Sequence, residues 1–195
     1  PSSPEVDVEG ATRSTSIAGR MYWTGSMSNG KLPFDDKPNR ERLFATQVSG
    51  TGDSTSISFV GYYNIKNALF AWGDSLGYAF TTSASAGVDP KAFNGFSLEG
   101  MVFGPDSTTM YLGLRAPLVP TGFRTKAVIA PILNFESWFN NGNPTTSPVF
   151  GAPIELDLDL RGIRDIIRLT NGTYLIVAGS PADDAGVNNL YKWSG

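Results

Sequence analysis

The chain has 195 residues, 41% of them hydrophobic and 17% charged, which favours a folded domain over a disordered chain. It has no cysteine and no histidine, which excludes disulfides, zinc–thiolate sites, cysteine nucleophiles, a Ser-His-Asp triad and a histidine base. The net charge is −3, with acids and bases mixed, so we expect no nucleic-acid partner. No apolar run approaches the roughly 20 residues of a membrane span. The scarcity of lysine and cysteine is compatible with export, and we expect an extracellular or periplasmic protein.

Short segments rich in β-branched and aromatic residues predict strands along most of the chain. In chain order these are 20–25, 42–48, 56–62, 127–133, 154–160 and 173–178. In 154–160, Ile or Leu alternates with Asp or Glu, which predicts one buried and one solvated face. Residues 63–75 have apolar side chains at near-helical spacing and predict one short helix. Pro105-Asp106 and Asn171-Gly172 predict hairpin turns.

A repeated outline connects three segments, "DVEGATRSTSIAGRMYWTGSMS", "SLEGMVFGPDSTTMYLGLRAPL" and "DLRGIRDIIRLTNGTYLIVAGSP". In each, a charged residue precedes a shared glycine (Gly10, Gly100 and Gly162), and a turn then leads into a strand. Glu9 and Glu99 are 90 residues apart, which is two periods of about 45, and Arg161 follows after one such period plus a long insertion. A period of about 45 residues is typical of four-stranded propeller blades. We therefore expect an all-β, β-propeller-like chain of about four blades, near 7–50, 51–96, 97–153 and 154–195. Chance similarity between glycine-punctuated hairpins is the alternative.

The ordered phrases "VDVEGA", "YWTGSMS", "FSLEGMVFGPDSTTMYLGLRAPL" and "LRGIRDIIRLTNGTYLIVAGSP" resemble an uncharacterised bacterial β-propeller family. That family is related to the domain called "esterase-like activity of phytase". Its domains are longer than this chain, so the chain resembles a partial or shortened member. The resemblance implies an open ring, which is either closed by another copy or a partner chain or lacks some of its blades. An open sheet edge offers unpaired backbone groups to a neighbour.

The resemblance also implies where the charged residues lie. It places Glu9 and Glu99 at the rim of the propeller channel, with Arg161 in the equivalent position of a later blade. Three further rim candidates are Arg115, Arg164 and Asp165. The shared glycines would then permit close backbone approach or a positive φ.

Two interpretations of these charges stay open. Carboxylates such as Glu9 and Glu99 are oxygen ligands suited to Ca²⁺, and arginines bind phosphate or carboxylate groups. Alternatively, the charged residues fasten neighbouring blades together, because a residue repeated in a repeat architecture serves the same local need in each copy.

Three classes of function follow. The first is an exported module that binds a partner or assembles with copies of itself. The second is a Ca²⁺-dependent phosphoesterase of phytase type, which the family resemblance alone suggests. The third is carbohydrate binding through the aromatic residues of the loop at 134–144, for which packing under that loop is the alternative.

Overall fold

The computed structural model describes residues 5–184 and 186–195, which form an all-β structure. Its elements are β1 (Val8–Arg13), β2 (Arg20–Gly25), β3 (Arg42–Ser49), β4 (Ser56–Asn64), α1 (Lys66–Ser75), α2 (Phe80–Ser83), β5 (Ser97–Phe103), β6 (Met110–Ala116), β7 (Ala127–Ile132), α3 (Phe135–Trp138), β8 (Ile154–Leu156), β9 (Gly162–Arg168), β10 (Tyr174–Gly179) and β11 (Asn189–Trp193). Single 3₁₀ turns lie at Pro38–Glu41 and Gly52–Ser54.

The strands form three antiparallel sheets. The first sheet has the order β1-β2-β3-β4, the second β5-β6-β7-β8 and the third β9-β10-β11. Each sheet is a meander, in which every strand pairs with the one that follows it in the chain.

The described chain thus contains three sheets, whereas the repeat period predicted about four. The segment 51–96 forms no sheet of its own, because β4 pairs with β3 from Arg42↔Asn64 to Ser49↔Ser56 and completes the first sheet. The rest of that segment contains α1 and α2. Likewise β8 pairs with β7, which leaves the third sheet to begin at Gly162.

The predicted strands are confirmed in place, with one shortened. β8 ends at Leu156 instead of continuing to Leu160, because Asp159 and Leu160 adopt φ values of 53° and 61°. A strand cannot continue through such left-handed backbone. Leu158 is buried, whereas Leu160 is 56% exposed.

The predicted helix is confirmed as α1, the only helix longer than four residues among the described residues. It packs Leu69 and Phe70 into the core beside Phe80 of α2. In the described part of the chain, no helix combines the length and apolarity that crossing a bilayer requires.

The second sheet lies between two hydrophobic cores. On one face, Met101 and Phe103 join a core shared with the first sheet, α1 and α2. On the other face, Val102 joins a core shared with the third sheet. Because both faces are covered, all seven residues of β5 are buried, which explains why its sequence does not alternate between polar and apolar residues.

The first strands of the three sheets are neighbours in space. β5 contacts β1 on one side and β9 on the other. This succession brings the three copies of the repeated motif together, although they are far apart in sequence.

Candidate functional site

The two motif glutamates occupy the same structural position, a β-bulge on the first strand of a sheet. On β1, Val8 pairs with Gly25 and Gly10 pairs with Thr24, so Glu9 is the extra residue. On β5, Leu98 pairs with Leu114 and Gly100 pairs with Gly113, so Glu99 is the extra residue. A bulge bends the strand and redirects the side chain of its extra residue.

Two arginines also lie at bulges. On β6, Ala116 pairs with Ser97 and Leu114 with Leu98, so Arg115 is the extra residue. On β9, Ile163 pairs with Ala178 and Asp165 with Val177, which makes Arg164 the extra residue.

The third copy of the motif is therefore offset by three residues from the sequence alignment. Arg164, and not Arg161, holds the position equivalent to Glu9 and Glu99. The cause is the register between β9 and β10, which places the bulge after Gly162 instead of before it.

The motif glycines allow close packing between sheets. A Cβ on Gly10 would lie 2.9 Å from Cβ of Met101 in the second sheet. A Cβ on Gly100 would lie 3.0 Å from Cγ2 of Ile166 in the third sheet. A Cβ on Gly162 would overlap the carbonyl oxygen of Arg115. None of these three glycines has a positive φ, so close approach is the reason for glycine here.

The four bulge residues line one cavity of about 640 Å³. Its charged lining comprises five acidic and five basic side chains: Glu5, Asp7, Glu9, Asp89, Glu99, Lys31, Arg40, Lys91, Arg115 and Arg164. The remaining lining residues are Ser28, Asn29, Gly30, Leu32, Phe34, Pro90 and Ser97. The formal charges therefore cancel when every group is ionised.

Glu99 is the centre of an ion-pair network that joins two sheets. Its Oε1 accepts a hydrogen bond of 3.0 Å from Nη1 of Arg115, and its Oε2 one of 3.5 Å from Nη1 of Arg164. The side chains of Glu99 and Arg115 are only 10% and 7% exposed. Arg164 also donates to the carbonyl oxygen of Ser180 at 2.9 Å. This network fastens the second sheet to the third and forms a wall of the cavity.

A second network surrounds Arg40, a residue that the sequence did not single out. Arg40 pairs with Glu5 at 2.8 Å and with Asp7 at 3.1 Å, and it donates to Oγ of Ser28 and to the carbonyl oxygen of Asn29. Its side chain is 10% exposed. No local pattern around Arg40 indicates this role, although Asp7 belongs to the first repeated motif.

Glu9 lies between these two networks, and among the described residues no cation lies within 4.0 Å of its carboxylate. Desolvation raises the pKa of Glu9 to about 7, and the charges of Glu99 and Asp7 act in the same direction. Arg115 and Arg164 oppose the shift. Glu9 as a whole residue is exposed to solvent. The cavity walls around the Glu9 carboxylate nevertheless displace part of its hydration, and this partial desolvation disfavours the charged form and raises the pKa.

Two of the predicted site residues lie outside the cavity. Arg161 donates to the carbonyl oxygens of Asp159 and Val187 and lies 3.8 Å from the Asp159 carboxylate. Asp165 is exposed, and its carboxylate accepts a hydrogen bond from the backbone N–H of Ile166. The structure thus brings together Glu9, Glu99, Arg115 and Arg164 and leaves these two apart.

The aromatic loop supports packing over ligand binding. Phe135 and Phe139 are fully buried and Trp138 is 8% exposed. Phe135 and Phe139 both pack against the Tyr22 ring. These rings therefore belong to the core between the first and second sheets and offer no face to a sugar.

The described residues do not fit a Ca²⁺ site at Glu9 and Glu99. Within residues 5–184 and 186–195, no group of three or more acidic side chains is arranged to hold a metal ion. Both oxygens of Glu99 already accept hydrogen bonds from arginines. Calcium prefers six to eight oxygen ligands, so this arrangement is better suited to a polar organic ligand or an anion.

No protein-family model matches the chain, and a search of curated proteins finds no match. The resemblance to the phytase-related propeller family therefore stays a prediction based on the motifs quoted above.

Proposed function

We propose that the chain is a β-propeller-like module of an exported protein and that it binds a small oxyanion in the cavity. The three sheets would be successive blades, with β1, β5 and β9 as the strands nearest the ring axis. Three features support this: the sheets are meanders, they stack in chain order, and their first strands are adjacent.

One observation carries the ligand-binding proposal. Glu9, Glu99, Arg115 and Arg164 come from four strands of three sheets, and each lies at a bulge that lines the same cavity. Bulges occur preferentially next to binding and active sites, because they re-aim a side chain. A concave site with a few converging polar groups is the usual form of a small-molecule site.

The charges favour an oxyanion once Glu9 is protonated. The cavity then has one more positive than negative side chain, and the neutral carboxyl can donate a hydrogen bond to the ligand. Arg164, whose side chain is 26% exposed at the wall, is the arginine best placed to contact the ligand.

Isothermal titration with sulfate tests this proposal, since the charge of sulfate is constant between pH 6 and pH 8. If sulfate binds only when Glu9 is protonated, a Glu9 pKa of about 7 predicts about tenfold weaker binding at pH 8 than at pH 6. Glu9→Gln should abolish this pH dependence.

A matched pair of arginine variants locates the site. Arg164→Met should weaken sulfate binding, whereas Arg161→Met should leave it unchanged. The two arginine side chains are equally exposed, at 26%, but only Arg164 lines the cavity. Equal effects of the two substitutions, or no sulfate binding by the parent chain, would contradict the proposal.

A phosphoesterase is the second candidate, favoured by one observation. A carboxyl with a pKa of about 7, in a cavity that two guanidinium groups also line, is suited to general acid–base catalysis at neutral pH. Hydrolysis of p-nitrophenyl phosphate, with and without added Ca²⁺, measures this activity. Turnover that Glu9→Gln abolishes would establish the hydrolase, and its absence would leave binding as the function.

A further inference from the structure

The first sheet has one face against the second sheet and one face toward solvent. The solvent face, named here the outer face of the first sheet, includes Ala11, Trp23, Phe44, Ile57, Phe59 and Tyr62. Ala11, Trp23, Phe44 and Tyr62 are aligned across the four strands by backbone pairing. The Trp23 and Phe44 rings stack at 6.0 Å, and Phe59 and Ile57 are about two-thirds exposed, at 65% and 66%. Exposed apolar side chains grouped together on one face of a sheet are typical of interaction surfaces.

The equivalent face of the second sheet is covered. In the first sheet, Ala11 follows the motif glycine and pairs with Trp23; in the second, Met101 follows the glycine and pairs with Leu112. Met101 and Leu112 are buried in the core that the first sheet covers. The outer face of the first sheet is thus the counterpart of a face that a preceding sheet covers.

The two observed junctions between sheets share a contact. On the first strand of one sheet, the residue just after the bulge faces the next sheet. There it contacts the second residue after the bulge on that sheet's first strand. Gly10 meets Met101 at the first junction, and Gly100 meets Ile166 at the second. In both contacts a glycine opposes a large side chain.

The third sheet has an exposed face at which its own residue after the bulge could contact a further sheet. Asp165 follows the bulge on β9 and is exposed, as are Ile167 and Leu190, at 47% and 68%. Opposite the larger Asp165, a succeeding sheet needs a small residue, and Ala11 of the first sheet is small. Arg13, the next residue on the same face of β1, is an exposed cation near enough along the strand to pair with an aspartate.

We propose that the outer face of the first sheet binds the third sheet of a second copy of this chain, with Asp165 of one copy over Ala11 of the other. This contact continues the existing succession of sheets. The contact joins two different faces, and each copy has one of each. Two copies related by a twofold axis therefore form two such contacts, one at each end of the chain's row of sheets. The product is a ring of six sheets, within the four to eight blades of propellers.

Analytical ultracentrifugation tests the proposal without any ligand, so its outcome is independent of sulfate binding. We expect a dimer, with twice the 20.9 kDa mass of one chain. Ala11→Trp should raise the dimer dissociation constant at least about tenfold, because it overfills the contact opposite Asp165. Thr125→Trp adds the same side chain to an exposed loop position and should leave the dimer intact.

A charge exchange makes the test specific for this pair of faces. Arg13→Asp and Asp165→Arg should each weaken the dimer, and the double variant should restore it. Circular dichroism confirms that each variant is folded. A monomer at high concentration would overturn the proposal, as would a dimer insensitive to Ala11→Trp or a mass that keeps growing with concentration.

Discussion

Replacing Glu99 with methionine removes the only hydrogen-bond partner that a buried guanidinium, that of Arg115, has among the described residues. Arg115 is 7% exposed, and its Nε and Nη2 atoms have no hydrogen-bond partner among the described residues. Its Nη1 donates to Glu99 at 3.0 Å. Leaving a buried charge without its counter-charge costs about 3–5 kcal/mol, so Glu99→Met should lower the free energy of unfolding by about that amount.

The double variant Glu99→Met/Arg115→Met should recover most of this loss. Two methionines fill a similar volume, and replacing a buried ion pair with apolar side chains is often neutral. We therefore expect the double variant to lie within about 1 kcal/mol of the parent chain. Arg164 loses its 3.5 Å contact with Glu99 in both variants, but this partly exposed arginine keeps its bond to Ser180.

Urea unfolding at one protein concentration, with linear extrapolation, measures these differences. For a chain of 195 residues, 3–5 kcal/mol corresponds to a fall in Tm of about 6–20 °C. The control is the exposed pair Lys91–Asp183, at 3.1 Å, whose removal should have little effect on the free energy of unfolding because solvent screens the two charges. If Glu99→Met cost no more than this control, or if the double variant were as unstable as the single one, our interpretation of the Glu99 network would be refuted.

Further predictions concern packing and titration. Gly162→Ala should destabilise the chain by more than about 3 kcal/mol in urea unfolding, because its Cβ would overlap the Arg115 carbonyl oxygen. Gly172→Ala, in open space at φ +84°, should cost only about 1 kcal/mol, and similar costs would contradict the close-packing explanation. The pKa of Glu9 is raised from 4.5 to about 7 in the folded state. Between these two pH values the folded chain therefore keeps a proton that the unfolded chain has already released. Stability should therefore fall as pH rises through this window, and Glu9→Gln should flatten the fall; an unchanged slope would show that Glu9 titrates normally.

The sequence by itself determined the all-β class, most strands, the short helix and the existence of a repeated motif. These features are local, because β-branched content, turn residues and apolar spacing act within a few neighbouring residues. The family resemblance indicated six candidates, and the structure brings four of them, Glu9, Glu99, Arg115 and Arg164, to one cavity. The other two candidates, Arg161 and Asp165, lie outside it.

Only the tertiary structure decided which charged residues share the site. The third motif contains both Arg161 and Arg164, and the choice between them depends on the backbone register of β9 against β10. Arg40 reaches the cavity because the 3₁₀ turn at Pro38–Glu41 packs beside β2, where the Arg40 carbonyl oxygen accepts a bond from the N–H of Met27. β4 belongs to the first sheet because its backbone pairs with β3, and this pairing is likewise a tertiary feature. Bulges, register and sheet stacking depend on pairing between distant segments, so no local pattern of residues encodes them.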